Sequence, residues 1–191
     1  MTSILEVEQL DTLSSNASST LTIGGTNATT LNLGSNITGG SITNTPAFLV
    51  KLSADQSLPN TTATKIQFDS EDYDTDGAYD NTTNYRFTVP TGKGGKYCIY
   101  YSAQIDSGSV NTLNRCETYI YKNGTKISQF KIDPRSNTGT KFNLGQTVVF
   151  DLSAGDYIEI FAFIDCPSGV SDIDRGEVYD NYFGGFRIIG A

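Results

Sequence analysis

Three observations predict that this chain is an all-β protein, a sandwich or jelly roll. Of its 191 residues, 19 are glycine, and serine, threonine and asparagine are abundant throughout. These residue types favour turns over helices. From residue 47 onward, short runs alternate between apolar and polar side chains, which is the period of a β-strand. No long segment shows the helical period of 3.6 residues.

Nine segments after residue 46 carry the strand pattern. They are 47–53, 63–69, 84–89, 96–105, 116–122, 125–132, 145–152, 156–164 and 182–189. Between two of them, Lys122-Asn123-Gly124-Thr125 predicts a tight hairpin, because asparagine and glycine accept the backbone angles of a two-residue turn. Ser153–Asp156 predicts a second tight connection of the same kind.

The composition excludes several classes of function. The chain has no histidine, so Ser-His-Asp catalysis, Cys-His catalysis and most zinc chemistry lack a required side chain. It carries 13 Lys and Arg against 21 Asp and Glu, a net charge of −8. This balance argues against nucleic acid as a partner, since polyanions require a basic surface. The most apolar window, 157–164, is too short to span a membrane, and we expect no membrane insertion.

Residues 1–45 differ in composition from the rest of the chain. Serine, threonine, asparagine and glycine make up 27 of these 45 residues, and the first aromatic residue is Phe48. Short apolar-polar-apolar units recur there, each followed by a glycine turn. The apolar residues that we expect to anchor the segment are Leu21, Ile23, Leu31, Leu33 and Ile37. Such units bury too little apolar surface to fold alone, so we expect an intertwined β-rich segment that is ordered by other chains.

Several of the predicted strands are apolar on both faces. In 97–101, Tyr97, Ile99 and Tyr101 alternate with Cys98 and Tyr100, and 157–164 repeats the pattern. An antiparallel sandwich buries only one face of each strand, so the other face requires a second cover. We therefore predict that the chain forms oligomers.

Four ordered motifs between residues 46 and 190 resemble the signature of C1q/TNF-like globular heads. They are 79–90 with 95–101, the tyrosine-lysine-asparagine-glycine hairpin at 119–124, the segment 148–156, and the closing Tyr182-Phe183-Gly184-Gly185-Phe186. The sequence departs from the family in a longer turn at 91–95 and in Ile99, where the family usually has phenylalanine.

The resemblance implies a ten-stranded antiparallel jelly roll over residues 46–191. It also implies a homotrimer with one sheet facing the threefold axis, and a binding module that is not an enzyme. The candidate interface residues are Tyr97, Ile99, Tyr101, Tyr157, Phe161, Phe163, Phe183 and Phe186.

The N-terminal segment resembles repeats in phage and other viral fibre proteins, where three chains wrap into a β-rich shaft. It lacks the Gly-X-Y period of a collagen stalk. Residues 1–13 contain neither lysine nor arginine and no continuous apolar stretch, so we expect no signal peptide. Together with the head, these features predict a location on the virion surface, with residues 1–45 bound to other virion proteins.

One acidic stretch is a candidate calcium loop. Asp72, Asp74, Asp76 and Asp80 lie at alternating positions around Gly77, in the spacing of oxygen ligands around calcium. Thr83 stands where a bidentate glutamate belongs, and no flanking helices are predicted. The alternatives are therefore a calcium site, with calcium as the one candidate cofactor, and a solvated acidic loop.

The loop 165–181 is the second acidic cluster. It is a candidate for receptor binding, because long variable loops commonly carry recognition. Its candidate residues are Asp172, Asp174, Glu177, Tyr179 and Asp180. Paired carboxylates there also raise glycoside hydrolysis as an alternative, which the resemblance to non-enzymatic heads disfavours.

The sequence thus predicts a non-enzymatic viral fibre or spike protein whose trimeric head attaches to a host surface protein or glycan. Two alternatives remain open. One is a structural decoration or joining protein without receptor binding, and the other is a cellular C1q-like recognition protein.

Overall fold

Two antiparallel sheets packed face to face form the fold in the computed structural model, which describes residues 45–134, 138–167, 171–176 and 179–188. These ranges contain thirteen strands and no helix. The strands are β1 Ala47–Lys51, β2 Gln56–Ser57, β3 Thr64–Lys65, β4 Ser70–Asp74, β5 Tyr79–Asp80, β6 Arg86–Thr88, β7 Gly95–Asp106, β8 Arg115–Lys122, β9 Thr125–Ile132, β10 Lys141–Leu152, β11 Tyr157–Asp165, β12 Asp172–Ile173 and β13 Tyr182–Arg187.

The first sheet, sheet A, is organised around β7. Strand β10 pairs with β7 along its whole length, from Gly95 to Asp106. Along the other edge of β7, β13 pairs with residues 97–102 and β12 with residues 105–106. Strands β1 and β4 continue the sheet beyond β13, and β2 continues it beyond β12.

The second sheet, sheet B, is organised around β11. Its order is β5-β6-β11-β8-β9, and the short strand β3 shares one edge of β11 with β6. The strands β8 and β9 form the hairpin that the sequence predicted at Asn123 and Gly124. Both residues have positive φ values, 52° and 76°, as this turn requires.

The core lies between the two sheets and is rich in aromatic rings. Phe48 of sheet A stacks on Phe87 of sheet B with 4.6 Å between ring centroids, and Phe183 meets Phe48 edge-on at 5.0 Å. All three side chains are fully buried. Contacts of this geometry stabilise the packing beyond the burial of apolar area.

Each of the nine predicted strands overlaps a strand of the structure, and the all-β prediction is confirmed. The sequence missed β4 and the two-residue strands β2, β5 and β12. Strand β4 reads Ser-Glu-Asp-Tyr-Asp and lies at the edge of sheet A with most side chains exposed, so it has no apolar alternation. The predicted segment 63–69 forms a strand only at residues 64–65. No helix in the described ranges is long and apolar enough to cross a membrane.

The two predicted tight turns are joined to each other through Asp156. Its carboxylate accepts hydrogen bonds from Asn123 Nδ2 at 2.7 Å and from the Ser153 backbone N–H at 2.8 Å, and it pairs with Lys122 Nζ at 2.8 Å. The Tyr157 N–H donates in turn to Asn123 Oδ1 at 2.9 Å. The bonds to Asp156 lower its pKa to about 2, and the bond from Lys122 has the largest effect.

We predict that Asp156 contributes stability that acid removes. Because the folded pKa of about 2 lies below the ordinary value of 3.8, the contribution is complete above pH 3.8 and is lost as the pH falls towards 2. Asp156→Asn should lower the free energy of unfolding by about 1 kcal/mol near neutral pH. In acid, the free energies of unfolding of the variant and the wild type should become similar. Urea unfolding at a series of pH values measures this.

Asp151→Asn is the control, because Asp151 is mostly exposed and its ion pair with Lys96 is long, at 3.6 Å. The assignment would be contradicted if the free energies of unfolding of wild type and Asp156→Asn differed by the same amount at every pH.

We also predict that Gly145 cannot carry a side chain. A Cβ at this position would lie 2.5 Å from the backbone oxygen of Tyr101, so β10 would have to move away from β7. Gly145→Ala should cost about 1–3 kcal/mol in thermal or urea unfolding. Gly139→Ala is the matched control, since a Cβ there meets nothing within 4 Å and should cost little or nothing. Equal effects of the two substitutions would show that the close approach of the strands is not the cause.

Candidate functional site

An aromatic cluster covers the outer face of sheet A. We call it the aromatic face and define it by Tyr73, Tyr100, Val149, Tyr182 and Phe186. Tyr73 is 44% exposed and Val149 is 53% exposed. The ring of Tyr100 lies 6.1 Å from that of Tyr182 and 6.4 Å from that of Phe186. Large exposed apolar surfaces of this kind mark sites of interaction in soluble proteins.

Strand register explains why these side chains meet. Tyr73 is opposite Leu49, Leu49 is opposite Gly184, and Gly184 is opposite Tyr100. The four residues form one row across β4, β1, β13 and β7. Directly opposite residues point to the same face of a sheet, so this row presents two tyrosines on the outside.

Gly184 makes room for the ring of Tyr100. A Cβ at Gly184 would lie 2.6 Å from Cζ of that ring, so the tyrosine lies across the glycine of the neighbouring strand. Burial raises the pKa of Tyr100 well above its usual range, and a hydrogen bond with Tyr73 raises it further. The hydroxyls of Tyr100 and Tyr73 therefore bind each other.

For four of the eight residues predicted at the interface, the prediction is wrong. Tyr97, Ile99, Tyr101 and Phe183 point into the sandwich, with exposures between 0% and 2%. They belong to the core of the single chain and cannot contact a second one. The strands are apolar on both faces, as predicted, but alternation alone does not tell which face turns inward.

The other four predicted interface residues are divided between two surfaces. Phe186 lies on the aromatic face of sheet A. Tyr157, Phe161 and Phe163 lie on the outer face of sheet B, on the opposite side of the sandwich. Tyr73, Val149 and Tyr182 were missed as members of the aromatic face. The one sequence signal for it was the placement of Tyr100 opposite to Tyr97, Ile99 and Tyr101 along β7.

The aromatic rings on the outer face of sheet B are covered by cations of the same chain. Arg86 lies 4.2 Å from the ring of Tyr157, and Arg115 lies 4.8 Å from that of Phe163. Lys126 lies 4.6 Å from the ring of Tyr119. A cation over an aromatic ring is a favourable contact that also keeps the surface hydrated. Sheet B therefore covers its outer rings with cations, whereas among the described residues no cation lies over a ring of the aromatic face.

Two glutamates on sheet B are buried and have partners. Glu159 is 6% exposed and forms an ion pair with Lys65 at 2.5 Å. Glu117 is 5% exposed and accepts hydrogen bonds from the Tyr119 hydroxyl at 3.0 Å and from the side-chain amide of Gln129. These partners compensate the loss of hydration, which makes the glutamates structural ties between neighbouring strands.

The predicted calcium loop does not bring its carboxylates together. Asp72 pairs with Lys51 at 2.6 Å, and Asp74 accepts the backbone N–H of Tyr79 at 2.7 Å. Asp76 accepts from the Thr75 hydroxyl at 2.9 Å.

Asp80 is likewise occupied with its own turn. It accepts the N–H groups of Thr82 and Thr83 at 3.1 and 2.9 Å, and these bonds hold its pKa well below its usual range. Within the described ranges, no group of three or more His, Cys, Asp or Glu side chains could hold a metal ion. The acidic pattern is explained by strand pairing and by turn hydrogen bonds.

The predicted receptor-binding loop is divided between sheet A and a turn. Asp172 belongs to β12 opposite Asp106, and burial raises its pKa. Asp174 accepts the Gly176 N–H at 2.7 Å and pairs with Lys141. Tyr179 is 51% exposed, and Asp180 is half-buried.

Glu177 lies outside the described residues, and so do the predicted anchors Leu21, Ile23, Leu31, Leu33 and Ile37. The described part of the chain begins at Thr45, so the predicted domain boundary there stays a prediction.

Comparison with solved structures bears out the fold. The globular domain of zebrafish complement 1qA protein superimposes with a TM-score of 0.52 at 17% sequence identity. The match covers 75% of this chain and 97% of that domain. At this level of identity, the likeness concerns the fold alone.

Comparison with curated sequences finds a relative for part of the chain. Over 90 residues, 44% of this chain, the sequence is 32% identical to the phage-like element PBSX protein XkdV of Bacillus subtilis (strain 168). The matched region makes up 12% of that protein's length. No protein-family model matches the sequence. This chain therefore has the jelly-roll fold of a C1q globular domain, and its sequence is related in part to a protein of a phage-like element.

Proposed function

We propose that this chain is a virion-associated, homotrimeric protein whose head attaches to a host surface and has no enzymatic activity. The aromatic face on a C1q-like fold is the observation that carries the proposal. The occupant of that face is a second copy of the chain, and three copies close a ring around a threefold axis.

The contrast between the two sheets supports self-association through sheet A. Both sheets have aromatic outer faces, and within the described ranges sheet B alone covers the rings of its outer face with lysines and arginines. The aromatic face lacks such a cover among the described residues and also carries the exposed Val149. Burial of this surface against another copy would gain the free energy that the isolated chain forgoes.

The phage-like relative supports a place on a virus particle. We propose that residues 1–45 bind other virion proteins and that residues 46–191 project as the head. The loops at the ends of the sandwich are then free to contact a host glycan or protein. The absence of histidine and the engagement of the acidic residues in turns and ion pairs favour binding over catalysis.

We predict that a charge on the aromatic face dissociates the trimer. Residues 46–191 should sediment as a trimer, and Val149→Glu should weaken association about a hundredfold or more, because the carboxylate would be buried without a partner. Val149 is 53% exposed in the single chain, so the substitution should leave the fold intact. Sedimentation equilibrium measures the change.

Ile127→Glu is the matched control, since Ile127 is a 40% exposed β-branched residue on a strand of sheet B. It should remain a trimer. A monomeric wild-type head, or equal dissociation by both substitutions, would refute the assignment of the interface.

We further predict that the purified full chain binds bacterial cells. Fluorescently labelled protein should bind saturably to at least one strain of a panel that includes Bacillus subtilis, and unlabelled protein should compete. Flow cytometry measures this binding. Incorporation of the protein into particles without binding to any cell would instead favour a decoration protein that stabilises the virion.

A further inference from the structure

A small pocket with two basic residues lies at the end of sheet A, beside Tyr182 of the aromatic face. Its cavity has a volume of about 200 Å³. The residues that carry the argument are Lys51, Ser53, Ser70, Arg175, Tyr179 and Asn181. We call it the Lys51–Tyr179 pocket.

Strand pairing assembles the pocket from distant parts of the chain. Lys51 is the last residue of β1 and lies opposite Ser70, the first residue of β4. On its other side, Lys51 lies opposite Tyr182, the first residue of β13, which directly follows Asn181. The end of one strand and the beginnings of two others therefore meet at this point.

Buried polar contacts hold Arg175 in position. Asn181 is 3% exposed, its amide nitrogen donates to the backbone oxygens of Asp174 and Arg175, and its oxygen accepts the Gln104 N–H at 2.8 Å. The Arg175 N–H donates to Asp55 at 2.7 Å. The backbone of Arg175 is thus held on both sides at the pocket that this residue lines, which lowers the entropic cost of binding.

The residues that line the pocket differ in charge from the chain as a whole. The net charge is −8, yet the pocket is lined by two cations and no carboxylate. Lys51 pairs with Asp72 at 2.6 Å at the margin of the pocket. In the part of the chain that the structure describes, no carboxylate lies within ion-pair distance of the Arg175 guanidinium. The Ser53 hydroxyl already donates to Asp69 at 2.6 Å, whereas Lys51, Arg175 and Ser70 line the same pocket. A lysine, an arginine and a serine hydroxyl in one pocket are the recognition chemistry of an anionic group.

Tyr179 adds an apolar surface at the same place. Its side chain is 51% exposed, and its ring centroid lies 4.7 Å from Lys51 Nζ. Its backbone has a φ of 68°, a left-handed conformation that costs energy for a tyrosine. A ligand that binds here can therefore place an anionic group on the cations and a sugar ring against the aromatic ring.

We propose that the Lys51–Tyr179 pocket binds an acidic saccharide. Lys51 and Arg175 take its carboxylate or phosphate, and Tyr179 packs against the sugar. The inference rests on the proposed attachment function and specifies the receptor as an anionic glycan. A uronic-acid polysaccharide and a phosphate-linked wall polymer share this chemistry.

Isothermal titration of the full chain distinguishes these two sources. The probes are a glucuronic-acid oligosaccharide, a glucosylated poly(glycerol phosphate) and, as the neutral control, a malto-oligosaccharide. We expect one acidic probe to bind, more weakly as salt rises, and the neutral probe not to bind. Arg175→Gln and Tyr179→Asn should each weaken that binding about tenfold or more. Asparagine tolerates the left-handed backbone at position 179, so this variant should fold.

Lys131→Gln is the control, since it removes one charge from an exposed lysine on β9 and should leave the affinity unchanged. Absence of binding by both acidic probes overturns the inference, and so does equal affinity of wild type and Arg175→Gln. Cells that still bind the chain in that case leave the attachment function in place. Binding of an acidic probe without binding to any cell would support the pocket and overturn attachment.

Discussion

The rest of the structure depends on strands that are apolar on both faces. The inner face of β7 supplies Tyr97, Ile99 and Tyr101 to the core. The outer face of the same strand carries Tyr100, which no second layer covers among the described residues. A two-layer sandwich can bury only one side of each strand, so the remaining aromatic surface must pack within its own face or against another molecule.

The two sheets solve this problem in different ways. Sheet B places arginine and lysine over its outer rings and ties its buried glutamates to neighbouring strands. Sheet A uses close packing instead, with Gly184 allowing Tyr100 to lie across β13 and reach Tyr73. The first arrangement is complete within one chain, and the second still exposes Tyr73 and Val149. This difference is the basis on which we propose sheet A as the interface.

Several aspartates of this acidic chain accept hydrogen bonds from backbone N–H groups of turns. Asp74, Asp80 and Asp156 each accept backbone N–H groups that the turns leave without a partner. In sequence, the first two resemble calcium ligands, because the same alternation suits both uses. Only the tertiary structure distinguishes an aspartate that accepts hydrogen bonds from its own turn from one that shares a metal site with others. The pocket that we propose for an anionic ligand is lined instead by Lys51 and Arg175.

The sequence by itself determined the class of fold, the positions of the long strands and both tight turns. These features are set by local alternation and by residues such as Asn123 and Gly124, which accept the positive φ values that few other residues adopt. The motifs shared with C1q-like heads extended this to the topology. The tertiary structure alone decided which face of β7 is inside, because a period of two residues is symmetric between the faces. It alone also placed Lys51 and Arg175 at one pocket, because strand pairing brings Lys51 next to β13 and a hydrogen bond from Asn181 holds Arg175 there.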